Sequence, residues 1–191
     1  KNLKKSTMEL GGNDAFIVLP DADMDKLAAI IPAARLYNAG QVCTSSKRFI
    51  VPDNLYDEFL KRATEIFSNV KMGDPMDPAT TLAPMNSEKA KNKLQKQVDL
   101  AVENGAKVVY GNQPVDLSGQ FFMPTILTDI SRDNPIFDQE MFGPVMSVYK
   151  YHDVQEAIDL ANDSSYGLGN TVFGKNVSEA RKVAAQIDTG M

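Results

Sequence analysis

Short apolar runs alternate along the chain with longer stretches in which apolar residues recur at helical spacing. The run at residues 15–19, closed by Pro20, predicts a buried strand, and further strands are predicted at residues 49–51, 107–110, 145–149 and 170–173. Helices are predicted at residues 24–37, 87–104 and 153–161, and two others after Asn54 and Asn176. This alternation predicts one α/β domain with a largely parallel sheet flanked by helices.

Capping residues support three of these helices. Ser87 precedes the long polar helix, and Asp153 and Asn176 each stand three residues before a glutamate, a spacing typical of helix N-termini. Residues 121–130 look extended, but Pro124 cannot donate a hydrogen bond to a sheet, which predicts an edge or irregular position.

Composition narrows the class of protein. The 191 residues include 43% hydrophobic and 24% charged residues, which is ordinary for a globular domain with a sizeable core. A formal charge of −5 gives no reason to expect nucleic acid as a partner, and the lysines between residues 89 and 96 are predicted to form a solvated helix face. Apolar runs are too short to predict a membrane span, and a single cysteine fits a cytoplasmic location. Because the chain starts at Lys1 and stops just after its last helix, we expect a piece of a longer protein.

The single cysteine, Cys43, lies in a loop between a predicted helix and a predicted strand. Gly40 allows the backbone to bend there, and the small side chains of Thr44, Ser45 and Ser46 leave room around the sulfur. A lone cysteine in such a loop is either a buried filler or a nucleophile, and this loop alone does not decide between them.

Two further loops carry a glutamate beside glycine. Glu9 precedes Gly11 and Gly12, while Glu140 precedes Phe142 and another glycine. All three loops adjoin predicted strands, at the strand–helix junctions where open α/β sheets usually build their sites. Each is weak evidence by itself, since a glutamate before two glycines is usually a turn and the pair is not a G-x-G-x-x-G fingerprint.

Together, the three loops resemble the signature segments of the NAD(P)-dependent aldehyde dehydrogenases. The similar segments, in the same order, are Met8-Glu9-Leu10-Gly11-Gly12-Asn13, Asn38-Ala39-Gly40-Gln41-Val42-Cys43 and Glu140-Met141-Phe142-Gly143-Pro144. The resemblance covers essentially the whole chain and implies that residues 1–191 are the Rossmann-like, thiol-bearing catalytic domain. It also implies that the N-terminal cofactor-binding domain and the C-terminal oligomerisation segment of such enzymes lie outside this chain. The chain by itself is therefore expected to be inactive, or nearly so.

The resemblance also implies a role for each loop. Cys43 would attack an aldehyde as a thiolate, its backbone N–H would bind the oxyanion, and Glu9 would activate the water that hydrolyses the thioester. The cofactor would be NAD or NADP, and the residues expected to bind it are Glu140, Phe142, Leu10 and Gly11. The full protein is expected to be a homodimer or homotetramer that acts on a small aldehyde, and no cluster of side chains predicts a metal site.

Within that family, the segment from Leu10 to Asp14 and the cysteine motif look most like the bacterial succinate-semialdehyde dehydrogenase group. One branch of that group has an arginine for the substrate carboxylate six residues before the nucleophile, where this chain has Tyr37. The same branch can have a second cysteine two residues after the nucleophile, where this chain has Ser45. Arg35 is the alternative ligand for a substrate carboxylate, although a structural ion pair is equally consistent with the sequence.

Three other functions stay open. A CoA-acylating aldehyde dehydrogenase would pass the acyl group to CoA, and would gain nothing from a general base at Glu9. A non-catalytic α/β assembly module would need neither the cysteine nor the glutamates. A cysteine hydrolase would need a base beside Cys43, but His152, the only histidine, is predicted to lie on the surface just before a helix.

Overall fold

The computed structural model describes residues 2–191, which form strands and helices. The strands are β1 (Ala15–Val18), β2 (Arg48–Pro52), β3 (Lys107–Tyr110), β4 (Thr125–Thr128), β5 (Val145–Tyr151) and β6 (Asn170–Phe173). The helices are α1 (Met24–Ile31), α2 (Asp53–Ser68), α3 (Glu88–Glu103), α4 (Val154–Asn162) and α5 (Val177–Ala184). Within residues 2–191, no helix combines the length and the apolar character that crossing a membrane requires.

The strands form one sheet in the order β3-β4-β5-β2-β1-β6. The pairings of β4 with β5, β5 with β2, β2 with β1 and β1 with β6 are parallel, whereas β3 pairs with β4 in the antiparallel sense. The predicted α/β fold with a largely parallel sheet is therefore confirmed.

Helices cover both faces of this sheet. On one face Phe16 and Phe49 pack in a cluster with α1 and α2. On the other face Ile17 and Ile50 pack in a cluster with α3, α4 and α5. Because both sides of β1 are covered, all four of its residues are buried, and its sequence is a continuous apolar run instead of an alternating one.

The helix caps follow the sequence pattern, with one exception. Ser87 accepts a hydrogen bond from the amide of Ala90, Asp153 accepts one from Glu156, and Asn176 accepts from both Ser178 and Glu179. The exception is α2, which begins at Asp53 and is not capped by Asn54.

The helix predicted over residues 24–37 is shorter than expected. α1 ends at Ile31, because Pro32 has no N–H to continue the ladder of hydrogen bonds. One turn of π-helix follows at Pro32–Leu36, and then a tighter turn at Tyr37–Gly40 leads towards the cysteine.

Of the two positions expected for the segment around Pro124, the edge position is wrong, whereas Pro124 itself does lie in an irregular segment. β4 lies between β3 and β5, and so has a partner on each side. The proline is tolerated because it precedes the strand, and the ladder starts with the amide of Thr125, which donates to the carbonyl of Pro144 at 2.9 Å.

Candidate active site

The candidate active site lies at the amino ends of three neighbouring strands. Residues 9–14 lead into β1, residues 41–47 into β2, and residues 140–144 into β5, and the sheet places these strands in the order β5-β2-β1. The cysteine loop therefore lies between the two glutamate loops. Open α/β sheets usually bind ligands at the carboxyl ends of their strands. That tendency does not predict a site at the amino ends.

The three loops and one face of α3 enclose a cleft of about 690 Å³. Five residues expected from the sequence line it: Glu9, Gly11, Cys43, Glu140 and Phe142. Cys43 is half-buried, Glu9 is exposed, and the ring of Phe142 is 38% exposed. The fold thus brings together the thiol and both carboxylates from three distant segments.

The double glycine lets the Glu9 loop approach both other loops closely. A Cβ atom on Gly12 would lie 2.5 Å from the carbonyl oxygen of Cys43, and one on Gly11 would lie 2.5 Å from Oε2 of Glu140. Gly11 also has a φ of +86°, which side chains with a Cβ rarely adopt. A side chain at either position would push the Glu9 loop away from the Cys43 loop or from Glu140.

The carboxylate of Glu140 is held from two sides. The amide of Gly12 donates to its Oε1 at 3.1 Å, and the ammonium of Lys47 lies 3.5 Å from the same oxygen. From α3, the side-chain amide of Gln97 donates to the backbone carbonyl of Glu140 at 3.2 Å. These contacts fix the carboxylate at the wall of the cleft with 19% of its side chain exposed.

The approach to Cys43 is a sharp left-handed bend. Asn38, Ala39 and Gly40 all have positive φ, between 52° and 71°. At Gly40 the bend touches the third loop, since a Cβ atom there would lie 2.3 Å from the carbonyl oxygen of Gly143. A backbone held in this uncommon region is typical of functional sites.

Arg35 lies behind this bend and is fully buried, at 0% exposure. Its guanidinium donates to five oxygens: Ser45 Oγ and the backbone carbonyls of Gly40, Met141, Gly143 and Val145. Burial lowers the pKa of Arg35, but a guanidinium stays protonated at neutral pH. We call this arrangement the Arg35 clasp, because it joins the Cys43 loop to the Glu140 loop.

The clasp corrects the substrate role expected for Arg35. Every donor group of the side chain faces protein oxygens inside the fold, so none is left to bind a substrate carboxylate. The alternative expectation, an ion pair, is also not what forms, since the partners are carbonyl and hydroxyl oxygens. Ser45 belongs to the same buried network, as its hydroxyl donates to the carbonyl of Ala34 at 2.9 Å.

Two more expected residues lie away from the lining of the cleft. Tyr37 is 73% exposed and lines a separate groove beside Asn69 and Val70. Leu10 is 77% exposed, between Glu9 and Gly11. The structure therefore places neither side chain against the thiol.

Three residues at the site were not expected from the sequence. Lys47 is buried beneath Cys43, Gln97 contacts the Glu140 segment, and Lys93 lines the cleft although its helix face was expected to be merely solvated. Gln97 could have been found from the pattern of α3, because it shares the apolar face formed by Leu94 and Val98. The other two differ in no visible way from ordinary surface lysines.

The carboxyl group of Asp14, two residues after Gly12, is also buried. Burial raises its pKa to about 6, while Lys47, the amide of Gly169 and Arg48 act in the opposite direction. One of its oxygens accepts a hydrogen bond from the amide of Gly169 at 3.2 Å. Asp14 therefore ties the start of β1 to the segment before β6.

His152 lies at the opposite ends of the strands from Cys43. It follows the carboxyl end of β5, its side chain is 73% exposed, and its Nδ1 contacts Asp53, which raises its pKa. This position agrees with the surface location expected from the sequence. It gives a cysteine hydrolase no base at Cys43.

The sequence profile of the Aldehyde dehydrogenase family matches residues 1–191. The chain belongs to the aldehyde dehydrogenase family. Relatives include the succinate-semialdehyde dehydrogenase [NADP(+)] of Deinococcus radiodurans, with 47% identity over 191 residues. That match covers 100% of this chain and 40% of the relative, so the chain spans about two fifths of the length of the relative.

Solved structures give the same result. The succinic semialdehyde dehydrogenase of Streptococcus pyogenes, solved in complex with NADP+, superimposes with a TM-score of 0.97 and 55% identity, covering 98% of this chain and 41% of that one. A betaine aldehyde dehydrogenase of Staphylococcus aureus, solved in complex with NAD+, superimposes with a TM-score of 0.92 and 34% identity, covering 95% and 37% of the two chains. Both confirm the fold expected from the resemblance.

Proposed function

We propose that this chain is the thiol-bearing catalytic domain of an aldehyde dehydrogenase that oxidises an aldehyde to the carboxylic acid. The observation that carries the proposal is the single cleft shared by Cys43, Glu9 and Glu140. The proposed protein also contains a cofactor-binding domain and an oligomerisation segment, and it assembles as a homodimer or homotetramer.

The first step is attack of the Cys43 thiolate on the aldehyde carbon, which forms a C–S bond and turns the carbonyl oxygen into an oxyanion. The backbone N–H of Cys43 donates to that oxyanion and so stabilises the thiohemiacetal. The left-handed bend before Cys43 and the Arg35 clasp behind it hold this amide and the sulfur in place. Loss of hydride from the thiohemiacetal leaves a thioester on Cys43.

A nicotinamide dinucleotide accepts that hydride when bound, and the residues of the cleft fit such a group. Glu140 presents a fixed, partly exposed carboxylate that can accept hydrogen bonds from the hydroxyls of a ribose. Phe142 offers an exposed aromatic face, and Gly11 leaves space where any Cβ atom would collide. NADP is the proposed cofactor, because the curated and solved succinate-semialdehyde relatives are named for it or bind it.

Glu9 acts in the second half of the reaction. Its carboxylate takes a proton from a water molecule, the hydroxide attacks the thioester carbon, and the C–S bond breaks to release the acid and restore the thiolate. A cleft that contains this base favours water over CoA as the acyl acceptor. Dependence of turnover on CoA would therefore contradict this step.

Succinic semialdehyde is the proposed substrate, on the strength of the relatives named for it. The test is NADPH formation by the full-length protein with succinic semialdehyde and with butyraldehyde, which has a similar length and no carboxylate. Cys43→Ala serves as the blank and Thr44→Ala as the matched control at an exposed neighbour. We expect a clear preference for the semialdehyde and for NADP over NAD.

Equal rates with both aldehydes would reduce the proposal to a general aldehyde dehydrogenase. Full activity of the Cys43→Ala variant would overturn the mechanism altogether.

A further inference from the structure

Lys47 is a charged side chain in an unusual place. It is the last residue before β2, and its side chain is only 2% exposed. A buried ammonium needs oxygen partners. Lys47 has two in the Cys43 loop, since it donates to the carbonyl of Cys43 at 2.6 Å and to that of Val42 at 2.9 Å.

The third partner belongs to another loop. Oε1 of Glu140 lies 3.5 Å from the ammonium of Lys47 and also accepts the amide hydrogen of Gly12 at 3.1 Å. One carboxylate oxygen is thus occupied by protein groups, while Oε2 lies beside Gly11 on the cleft side. Lys47 therefore joins the Cys43 loop to Glu140, whose carboxylate in turn accepts from Gly12 of the Glu9 loop.

We propose that Lys47 is a positioning residue, which acts through Glu140 and the Cys43 carbonyl to hold the cofactor-binding carboxylate and the nucleophile in one arrangement. This inference rests on the proposed function, in which Glu140 binds the cofactor. In this role Lys47 affects cofactor binding through Glu140, without contacting the cofactor itself.

The charges around Lys47 connect this role to pH. Burial lowers the pKa of Lys47 to about 8, and the nearby guanidinium of Arg35 acts in the same direction, while Glu140 and Asp14 favour the charged form. At neutral pH the ammonium is charged and holds Glu140. As the pH rises through about 8, Lys47 loses its proton, and the carboxylate loses its cationic partner.

The experiment is a double-mutant cycle in the full-length protein with Lys47→Met, Glu140→Gln and the two combined. The dissociation constant of NADP is measured first, followed by kcat and the KM for the aldehyde. At neutral pH, Lys47→Met should weaken NADP binding roughly tenfold, and the double variant should bind no more weakly than Glu140→Gln, since both changes remove the same interaction. The KM for the aldehyde should change little, and Lys61→Met, at an exposed site on α2, should match the wild type.

A pH profile adds a readout that a purely structural role would not change. NADP binding by the wild type should weaken as the pH rises through about 8, and Lys47→Met should lack this transition. If Lys47→Met does not fold, Lys47→Gln replaces it, because its amide still donates to a carbonyl but carries no charge. The wild-type profile needs no variant at all.

Additive losses in the cycle, or wild-type NADP affinity in Lys47→Met, would overturn the inference. Failure of the proposed function is recognised separately, because it would appear as absent NADPH formation in the wild type with every aldehyde. The double-mutant cycle can still be measured in that case, because it uses the dissociation constant of NADP and not turnover.

Discussion

The amide of Gly12 donates a hydrogen bond of 3.1 Å to Oε1 of Glu140, across a separation of 128 residues. This bond lies between the carboxylate proposed to bind the cofactor and the loop that carries the proposed base. Because Gly12 also touches the carbonyl of Cys43, one glycine is in contact with both partner loops.

Gly12→Ala should therefore impair the site. The added Cβ atom would lie 2.5 Å from the Cys43 carbonyl, and overpacking of this kind costs about 1–3 kcal/mol of stability. We expect turnover to fall at least about tenfold, because relief of this collision would move apart loops that must act together. Steady-state rates and thermal unfolding are the measurements. Gly190→Ala is the control, because its nearest neighbour would be 3.7 Å away, and an equal loss there would contradict the argument.

Glu9→Gln should separate the two halves of the reaction. An amide cannot take a proton from water, so thioester hydrolysis should slow by about 10²–10⁴ while hydride transfer continues. Rapid mixing should show a burst of NADPH close to one per active site, followed by a very slow steady state. Glu103→Gln, at the exposed end of α3, should behave as the wild type. Loss of the burst itself would mean that Glu9 acts before the thioester forms.

Arg35→Met should damage the fold and leave substrate preference intact. Removing the guanidinium leaves several buried oxygens without donors, at about 1–3 kcal/mol each. We expect a markedly lower unfolding temperature. In the fraction of the variant that folds, the ratio of the KM values for succinic semialdehyde and butyraldehyde should be unchanged. Arg181→Met, at an exposed site on α5, is the control. A selective rise in the KM for the semialdehyde would restore Arg35 as a substrate ligand.

Asp14 should make stability decrease as the pH rises through about 6. Its pKa is raised from 3.8 to about 6 in the folded state, so the folded state holds its proton more tightly than the unfolded state. The resulting stabilisation is complete below the unfolded pKa and is lost as the pH passes the folded one. Asp14→Asn should lack this contribution, which unfolding curves across that range would measure. Asp116→Asn, in an exposed loop, should retain the wild-type slope.

Lys93 should contribute to cofactor binding. It precedes Gln97 by one turn on the same face of α3, and Gln97 contacts the Glu140 segment, so Lys93 lies on the same side of the cleft. Lys93→Met should raise the KM for NADP several-fold with either aldehyde, while Lys96→Met, at an exposed position outside the lining of the cleft, should not. If only the KM for the semialdehyde rose, Lys93 would instead be the ligand of the substrate carboxylate.

The alternation of apolar runs and helical patterns predicted the fold class. The three loops, each weak evidence by itself, were identified through their joint resemblance to the signature segments of the aldehyde dehydrogenases. Cys43, Glu9 and Glu140 stand out without any knowledge of their contacts, and the cleft confirms that they meet. The early end of α1 was also predictable, since Pro32 cannot continue the helix.

The buried cations could not be predicted in the same way. Arg35 and Lys47 bind mainly backbone carbonyls, and those oxygens come together only after the sheet has formed. An arginine or lysine near a loop is usually solvated, so nothing local distinguishes these two from surface residues.

The Arg35 clasp has a consequence for how such a site can diverge. Backbone carbonyls are present whatever the side chain, so the positions of Met141 and Val145 can change without loss of the hydrogen bonds that they supply. Arg35 itself has no substitute with the same fork of donors. Sequence changes at these two buried positions are thereby uncoupled from the geometry of the backbone that Arg35 holds.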